Sequence, residues 1–316
     1  NSMKTSKKIY LISPRGFCAG VTRAIEIVEL AIKKYGPPVY VNHEIVHNKY
    51  VIDELSDKGA VFLDNINDAP PDRPFIFSAH GVSKDVELHA NKKNKIVINA
   101  TCPLVTKVHV QAMKFFELGY RIILIGHRNH PEVIGTMGQL PSGSIELVET
   151  VSDVMKLSIN DNDNFAYLTQ TTLSLDDTKK IIEALKVRLP KIISSPKEDI
   201  CYATSNRQKA IKEYAQMCDA FIVVGSSNSS NSNRLVEVAK NAGCENSILL
   251  ENEVNLNVKD YELMTSIGIS SGASVPDILV KNVINKFAEF YQVTIEELSL
   301  GNENVTFKLP KELRVG

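Results

Sequence analysis

Three cysteines, Cys18, Cys102 and Cys201, occupy equivalent places in three copies of one pattern, and thiols that recur in phase can serve one metal centre. Each closes a short apolar run (Ile9 to Ile12, Ile96 to Ile98, Ile192 to Ile193) and opens an amphipathic helical stretch. A strand-like apolar run follows in each copy, then a loop rich in His, Ser or Asn. Counted from the cysteine, His43 and His47 fall at 25 and 29, and His127 and His130 at 25 and 28; Ser226, Ser229 and Asn231 fall at 25, 28 and 30. A helix N-terminus favours an anion, and the thiolate is the form that binds metals. Pro103, directly after Cys102, marks such a helix start. Three thiolates at one point admit two readings. Zinc would complete a tetrahedron with a fourth protein ligand or water. An iron–sulfur cluster usually takes four cysteines, so three would leave one iron open to water or substrate. Taken singly, each thiol is more readily a buried core residue; the shared phase reverses that judgement. Cys218, near a helix end, and Cys244, just after Gly243, lack the pattern and read as incidental.

The loops supply the second chemistry. His47, His80 and His130 each follow a strand, in loops containing Gly, Asn or Pro that hold side chains on a rigid scaffold. His43 and His127 precede the better candidates and read as their supports, while His89 and His109, on helices, read as surface or hydrogen-bonded histidines. The run from Ser226 to Asn233, which contains Ser229, Ser230 and Asn231, stands before the amphipathic stretch Leu235–Asn241. Hydroxyls, amides and backbone N–H groups at a helix start make an anion site, and Ser274 before Pro276 offers another. A solvated turn explains either loop alone; with three histidines aimed at the same centre, a small phosphorylated ligand explains them together. No Walker-type loop or dinucleotide fingerprint is present, which sets nucleotides aside. Glu132, in His130-Pro131-Glu132, is the acid expected at this centre, its pKa raised by a nearby anion and thiolates until it can donate a proton at neutral pH. Thr171 is placed to orient Glu132 or a substrate hydroxyl.

The elements that must position these groups alternate between strand and helix, which predicts an α/β protein of three small parallel-sheet units related by a pseudo-threefold axis around a central cavity. The first unit covers residues 1–100 with Cys18 and is joined by 288–316; the second covers 101–199 with Cys102, and the third 200–287 with Cys201. Expected helices include Gly20–Tyr35, Pro103–Glu117 and Ser205–Met217; expected strands include Ile9–Ile12, Ile122–Ile125, Phe221–Val224 and Ser266–Ile269. Gly36, Gly119 and Gly243 stand where helices should stop. The tail alternates at Val305, Phe307 and Leu309, as an edge strand or flap would. In open parallel sheets ligands gather at the carboxyl ends of strands, where all these polar loops lie.

A chain of 316 residues is long enough for a buried core in two or three domains. Its formal charge of -1 provides no general field for nucleic acid or an anionic membrane. No apolar run approaches the ~20 residues that span a bilayer, and the polar start, Asn1 to Lys8, has no apolar signal core. Five widely spaced cysteines do not form a secreted disulfide framework, so a reducing cytoplasm is expected.

Longer motifs carry a resemblance. Pro14-Arg15-Gly16-Phe17-Cys18-Ala19-Gly20-Val21, His43-Glu44-Ile45-Val46-His47-Asn48 and Ala100-Thr101-Cys102-Pro103-Leu104-Val105-Thr106-Lys107-Val108-His109 resemble the 4-hydroxy-3-methylbut-2-enyl diphosphate reductase family. So do Ser78-Ala79-His80-Gly81, His130-Pro131-Glu132-Val133-Ile134-Gly135-Thr136, Thr169-Gln170-Thr171-Thr172, Ile200-Cys201-Tyr202-Ala203-Thr204, Asn228-Ser229-Ser230-Asn231-Ser232-Asn233 and Gly272-Ala273-Ser274. The resemblance covers essentially the whole chain. It implies reductive dehydroxylation of an allylic alcohol diphosphate to isopentenyl and dimethylallyl diphosphate, the last step of the non-mevalonate isoprenoid pathway. It further implies a 4Fe-4S cluster held by Cys18, Cys102 and Cys201, with the fourth iron open to the substrate hydroxyl. Glu132, supported by Thr171, is implied as proton source, with His47, His80, His130, Ser229, Ser230, Asn231 and Ser274 on the diphosphate. Ferredoxin or flavodoxin is the implied electron donor, and the chain is expected to act as a monomer. Two rivals use the same residues: a zinc hydrolase of a phosphorylated metabolite, and an iron–sulfur regulator or electron carrier without a substrate.

Overall fold

The computed structural model describes residues Lys4 to Val315. In chain order the first elements are β1 (Ser6–Ser13), α1 (Ala19–Tyr35), β2 (Val39–Asn42), α2 (Lys49–Lys58), β3 (Ala60–Leu63), β4 (Phe75–Phe77), α3 (Lys84–Lys93) and β5 (Val97–Asn99). Then come α4 (Pro103–Glu117), β6 (Arg121–Ile125), α5 (Pro131–Met137), β7 (Ile145–Val148), α6 (Val151–Met155), β8 (Phe165–Thr169), α7 (Leu175–Arg188) and β9 (Ile193–Ser194). The last are α8 (Tyr202–Tyr214), β10 (Ala220–Val224), α9 (Ser230–Asn241), β11 (Ser247–Leu250), β12 (Ser266–Ser271), α10 (Asp277–Phe290) and β13 (Gln292–Ser299). The chain forms two compact units: one from the residues up to Cys18, His47–Val51 and Tyr202–Val305, the other from Ala19–Val46, Ile52–Cys201 and Thr306 onward.

Strands and helices build three sheets, as an α/β chain with three small parallel sheets should. Their orders are β3-β2-β4-β5, β7-β6-β8-β9 and β11-β10-β12-β1-β13. Every pairing is parallel. One order therefore recurs. In the fourth place of each sheet stands the strand that runs into a cysteine: β5 before Cys102, β9 before Cys201 and β1 before Cys18. The run Ile9–Ile12, expected to open the first unit, thus pairs with β12 and β13 instead.

Parallel strands covered on both faces read as unbroken apolar runs, and β10 (Ala-Phe-Ile-Val-Val) is buried throughout. Its alternate residues serve opposite layers, as the period of two dictates. Ile222 and Val224 join Val280, Val283 and Phe287 of α10, while Phe221 and Val223 join Ile211 of α8 and Leu235 of α9. In the other unit, Ile123 and Ile125 of β6 pack with Ile181 and Leu185 of α7, and Ile122 and Leu124 pack with Val108, Ala112 and Phe115 of α4.

Helix α9 begins earlier than the apolar spacing implies. Ser and Asn are weak in helix interiors but strong at helix starts; the Ser229 side chain accepts from Ser232 N–H and caps α9 at Ser230. The tail does not form the edge strand. Residues 300–310 carry no strand pairing, and the added edge strand is β13, which pairs with β1 from Ser6↔Gln292 to Ser13↔Ser299.

Gly268, in the middle of β12, is a packing requirement. A Cβ there would sit 2.5 Å from Phe221 Cδ2 and 2.8 Å from Cys218 Sγ. Gly268→Ala should therefore destabilise the protein by about 1–3 kcal/mol through overpacking. Denaturant unfolding measures this, and an unchanged midpoint would show that Phe221 and Cys218 can move aside.

Candidate functional site

Cys18, Cys102 and Cys201 each stand immediately before a helix, α1, α4 and α8 respectively, and each is half-buried. One backbone hydrogen bond recurs at all three. Cys102 N–H donates to Ala79 O at 3.0 Å, Cys201 N–H to Thr171 O at 3.0 Å and Cys18 N–H to Ala273 O at 3.2 Å. Each acceptor lies two residues beyond the end of a third-place strand, β4, β8 or β12. The loop histidines and serines recur as well: His47, His130 and Ser229 each lie five residues beyond the ends of β2, β6 and β10. Among the described residues, none of the five cysteines is in a disulfide, and no three His, Cys, Asp or Glu side chains are gathered for a single metal ion.

In the unit that holds Cys102 and Cys201, Glu132 lies in the first turn of α5, 3% exposed. Thr171 N–H donates to its Oε1 at 2.6 Å and Thr171 Oγ–H to its Oε2 at 2.9 Å. Burial raises the Glu132 pKa to about 7, the Thr171 donors oppose that rise, and the Asp199 carboxylate adds to it. Sequence reasoning expected the raised pKa from an anion and thiolates; within the protein itself desolvation is the largest cause. Glu132 N–H donates to His130 Nδ1 at 3.1 Å, so the neutral imidazole carries its proton on Nε2. The His80 ring meets the His130 ring edge-on, with centroids 5.8 Å apart. Gln170 steadies the Thr171 loop: its Oε1 accepts from His127 N–H at 3.0 Å and its Nε2 donates to Thr172 Oγ1 at 3.1 Å.

In the unit that holds Cys18, Asn231 Oδ1 accepts from Ala273 N–H at 2.8 Å, which leaves its buried Nδ2 donor without a partner. Ser274 Oγ–H donates to His47 O at 3.0 Å. The Ser232 and Ser271 hydroxyls are buried and likewise without partners. Ser232 fits only because Gly225 and Gly272 carry no side chain: a Cβ on either would lie 2.3 or 2.1 Å from its Oγ. Buried donors left unmet at a helix N-terminus suit an anion.

The fold thus brings His80, His130, Glu132 and Thr171 together in one unit, and His47, Ser229, Asn231 and Ser274 together in the other. Ser230 is the first residue of α9. His43 is exposed and pairs with Asp64 at 3.0 Å, and His89 bonds Asn67 at 2.8 Å. His109 is no surface residue: it is buried beneath Gly81, its Nε2 lacks a partner, and burial lowers its pKa to about 4. Cys218 and Cys244 lie in the apolar core, where burial pushes Cys218 up to about 12.

Sequence reasoning passed over three charged residues beside the cysteines. Asp199 accepts Thr169 N–H at 3.0 Å. Arg23 donates to Thr101 O at 3.2 Å, just before Cys102. Arg207, almost fully buried, donates to Gly16 O at 2.7 Å. A signal for Arg207 was present, because Ala203, Arg207, Ala210 and Ile211 share a helical stripe that faces the core.

A family model described as LytB protein matches residues 9–288. Two relatives, from a Ruegeria species and from Ruegeria pomeroyi, are named 4-hydroxy-3-methylbut-2-enyl diphosphate reductase. The first is 53% identical and the second 52%; the matches cover 97% and 98% of this chain, and the same shares of theirs. Among solved structures, the E-1-hydroxy-2-methyl-but-2-enyl-4-diphosphate reductase of Plasmodium falciparum superposes with a TM-score of 0.94 at 42% identity, covering 99% of this chain and 97% of its own. A second, described as (E)-4-hydroxy-3-methyl-but-2-enyl diphosphate reductase, gives a TM-score of 0.65 at 30% identity, covering 90% and 99%.

Glu132 makes stability depend on pH. Its folded pKa is raised, so its contribution is fully present below the ordinary carboxyl value of 4.5 and is lost as pH rises through about 7. Relative to wild type, Glu132→Gln should gain stability over that interval, up to ~3 kcal/mol, and level off above it. Denaturation of both proteins from pH 4.5 to 8.5 tests this, and parallel curves would show that Glu132 ionises normally.

Proposed function

Because the chain belongs to the LytB protein family, we propose that it is an iron–sulfur reductase that removes the allylic hydroxyl of (E)-4-hydroxy-3-methylbut-2-enyl diphosphate. Isopentenyl and dimethylallyl diphosphate are the products, and two electrons and two protons are consumed. The step is the last of the non-mevalonate pathway, the place that the description of one solved relative gives it. The observation that carries the mechanism is a continuous chain of bonds: the Cys201 amide binds Thr171 O, and Thr171 binds both oxygens of Glu132. A carboxyl that holds a proton near neutral pH is thereby fixed to the loop of a cysteine ligand.

Cys18, Cys102 and Cys201 would hold the cluster. The donor set fits: three soft ligands outside any disulfide, each at a helix N-terminus with its amide committed to a strand-end carbonyl. When bound, a three-cysteine 4Fe-4S cluster supplies electrons and one iron without a protein ligand. The chain's own side chains handle the rest. Glu132, held by Thr171, gives its proton to the departing hydroxide so that water leaves. His80 and His130, with Ser229, Ser230, Asn231, Ser274 and His47, bind the diphosphate through N–H and O–H donors. A near-neutral chain must hold its anion with such local donors. Among the described residues no helix is long and apolar enough to cross a membrane. We place the enzyme in the cytoplasm as a monomer that takes electrons from ferredoxin or flavodoxin.

Anaerobically purified protein with a chemically reduced donor and the allylic diphosphate should yield both isoprenoid diphosphates. Intact cluster without product would leave a regulator or carrier, and zinc in place of iron and sulfide would leave a hydrolase. Cys102→Ser should fold but lose its iron, which metal analysis reads directly. Glu132→Gln should keep the cluster spectrum and substrate binding while turnover falls ~10²–10⁴-fold; near-normal turnover would mean that another group delivers the proton. His80→Asn should weaken diphosphate binding without altering the cluster spectrum, and a spectral change at unaltered affinity would assign His80 to the metal.

A further inference from the structure

Arginine is almost never fully buried unless it is paired, yet Arg207 on α8 has a side chain only 1% exposed. All its donors are directed. Nε and Nη2 donate to Gly16 O at 3.2 and 2.7 Å, and Nη2 reaches Phe17 O at 3.4 Å. Nη1 donates to Ala203 O at 3.1 Å and to both Glu303 oxygens at 3.0 Å. Asn206 Nδ2 donates to the same carboxylate at 3.1 Å. A buried ion pair is weak support for a role in stability alone, so its placement is the informative fact. It occupies the turn that presents Cys18. Gly16, in the left-handed region at φ +68°, donates its N–H to Ser271 O at 3.4 Å, and Cys18 donates its N–H to Ala273 O. With Arg207 in place, both carbonyls and both of these amides of the Gly16–Cys18 turn are bonded.

We propose that Arg207, clamped by Glu303, is a positioning residue for Cys18: it fixes the Gly16–Phe17 turn so that the thiol is held in its ligating orientation before and after the metal centre is loaded. Glu303 comes from the segment that follows β13, so that segment acts as a brace for the first cysteine. The guanidinium and the Glu303 carboxylate form a charge pair bonded to that turn, and charge and hydrogen bonding near a cluster tune its reduction potential. Lysine cannot replace it, because one ammonium cannot serve two carbonyls and a carboxylate in fork geometry. The inference rests on the cluster reading above.

The test uses holoprotein purified without oxygen, as wild type, Arg207→Lys and Glu303→Gln. Three quantities are followed: loss of visible cluster absorbance under an iron chelator, the midpoint of a redox titration, and the unfolding midpoint of the metal-free protein. Both variants should lose the cluster about tenfold faster or more, the cost of a lost charge-assisted hydrogen bond. Their redox midpoints should shift, and cluster loss should be faster than any lowering of the metal-free unfolding midpoint from the broken pair explains. Wild-type loss rates and midpoint in Glu303→Gln overturn the proposal, and so does cluster loss that merely follows a lowered unfolding midpoint. If Arg207→Lys fails to fold, Glu303→Gln decides alone. A wild-type protein without iron would instead sink the cluster reading, a result distinct from either.

Discussion

A single backbone hydrogen bond, made three times, governs how this chain presents its chemistry. The amide of each cysteine is tied to a carbonyl two residues beyond a strand end, so each thiol inherits its position from sheet register. The strand that leads into each cysteine lies beside the strand that supplies that carbonyl. The ladder thus fixes both ends of the bond. A helix then departs directly from the thiol and points its N-terminal dipole at the sulfur. The loops are short and carry little freedom of their own.

The acid obeys a different balance. Desolvation favours the neutral Glu132 carboxyl, whereas two donors from Thr171 favour the anion. The opposition leaves the group poised near neutrality, where a proton is both held and released at moderate cost. His130 caps the helix on which Glu132 rides and thereby fixes its own tautomer. The capping histidine and the acid thus share one helix start. The anion-ready cluster around Asn231 and Ser232 has the complementary character: its donors are buried and unmet, and two glycines leave the room that the Ser232 hydroxyl occupies.

Much of this was legible in the residues. The phase of the three cysteines, the parallel-sheet alternation and the helix from Pro103 to Glu117 could be read because apolar periodicity and helix-start chemistry are local. Strand pairing is not local. Nothing near Ile9 states that β1 belongs beside β12. Residues whose task is to serve another group were also missed. Arg207 and Asp199 look ordinary until the carbonyls and amides that they meet are known. His109 read as a surface or hydrogen-bonded histidine because histidine is commonly so on a helix, whereas it lies on the buried stripe of α4 with its ring beneath Gly81.

Strand β1 is flanked by β12 and β13, partners that lie more than 250 residues later. As the polypeptide leaves the ribosome, β1 must therefore wait unpaired until β12 and β13 have been synthesised. That sheet can be completed only once β12 and β13 have emerged, whereas the sheets of β2–β5 and β6–β9 can form earlier. The lysines at positions 7 and 8 would help keep the nascent strand soluble during the delay.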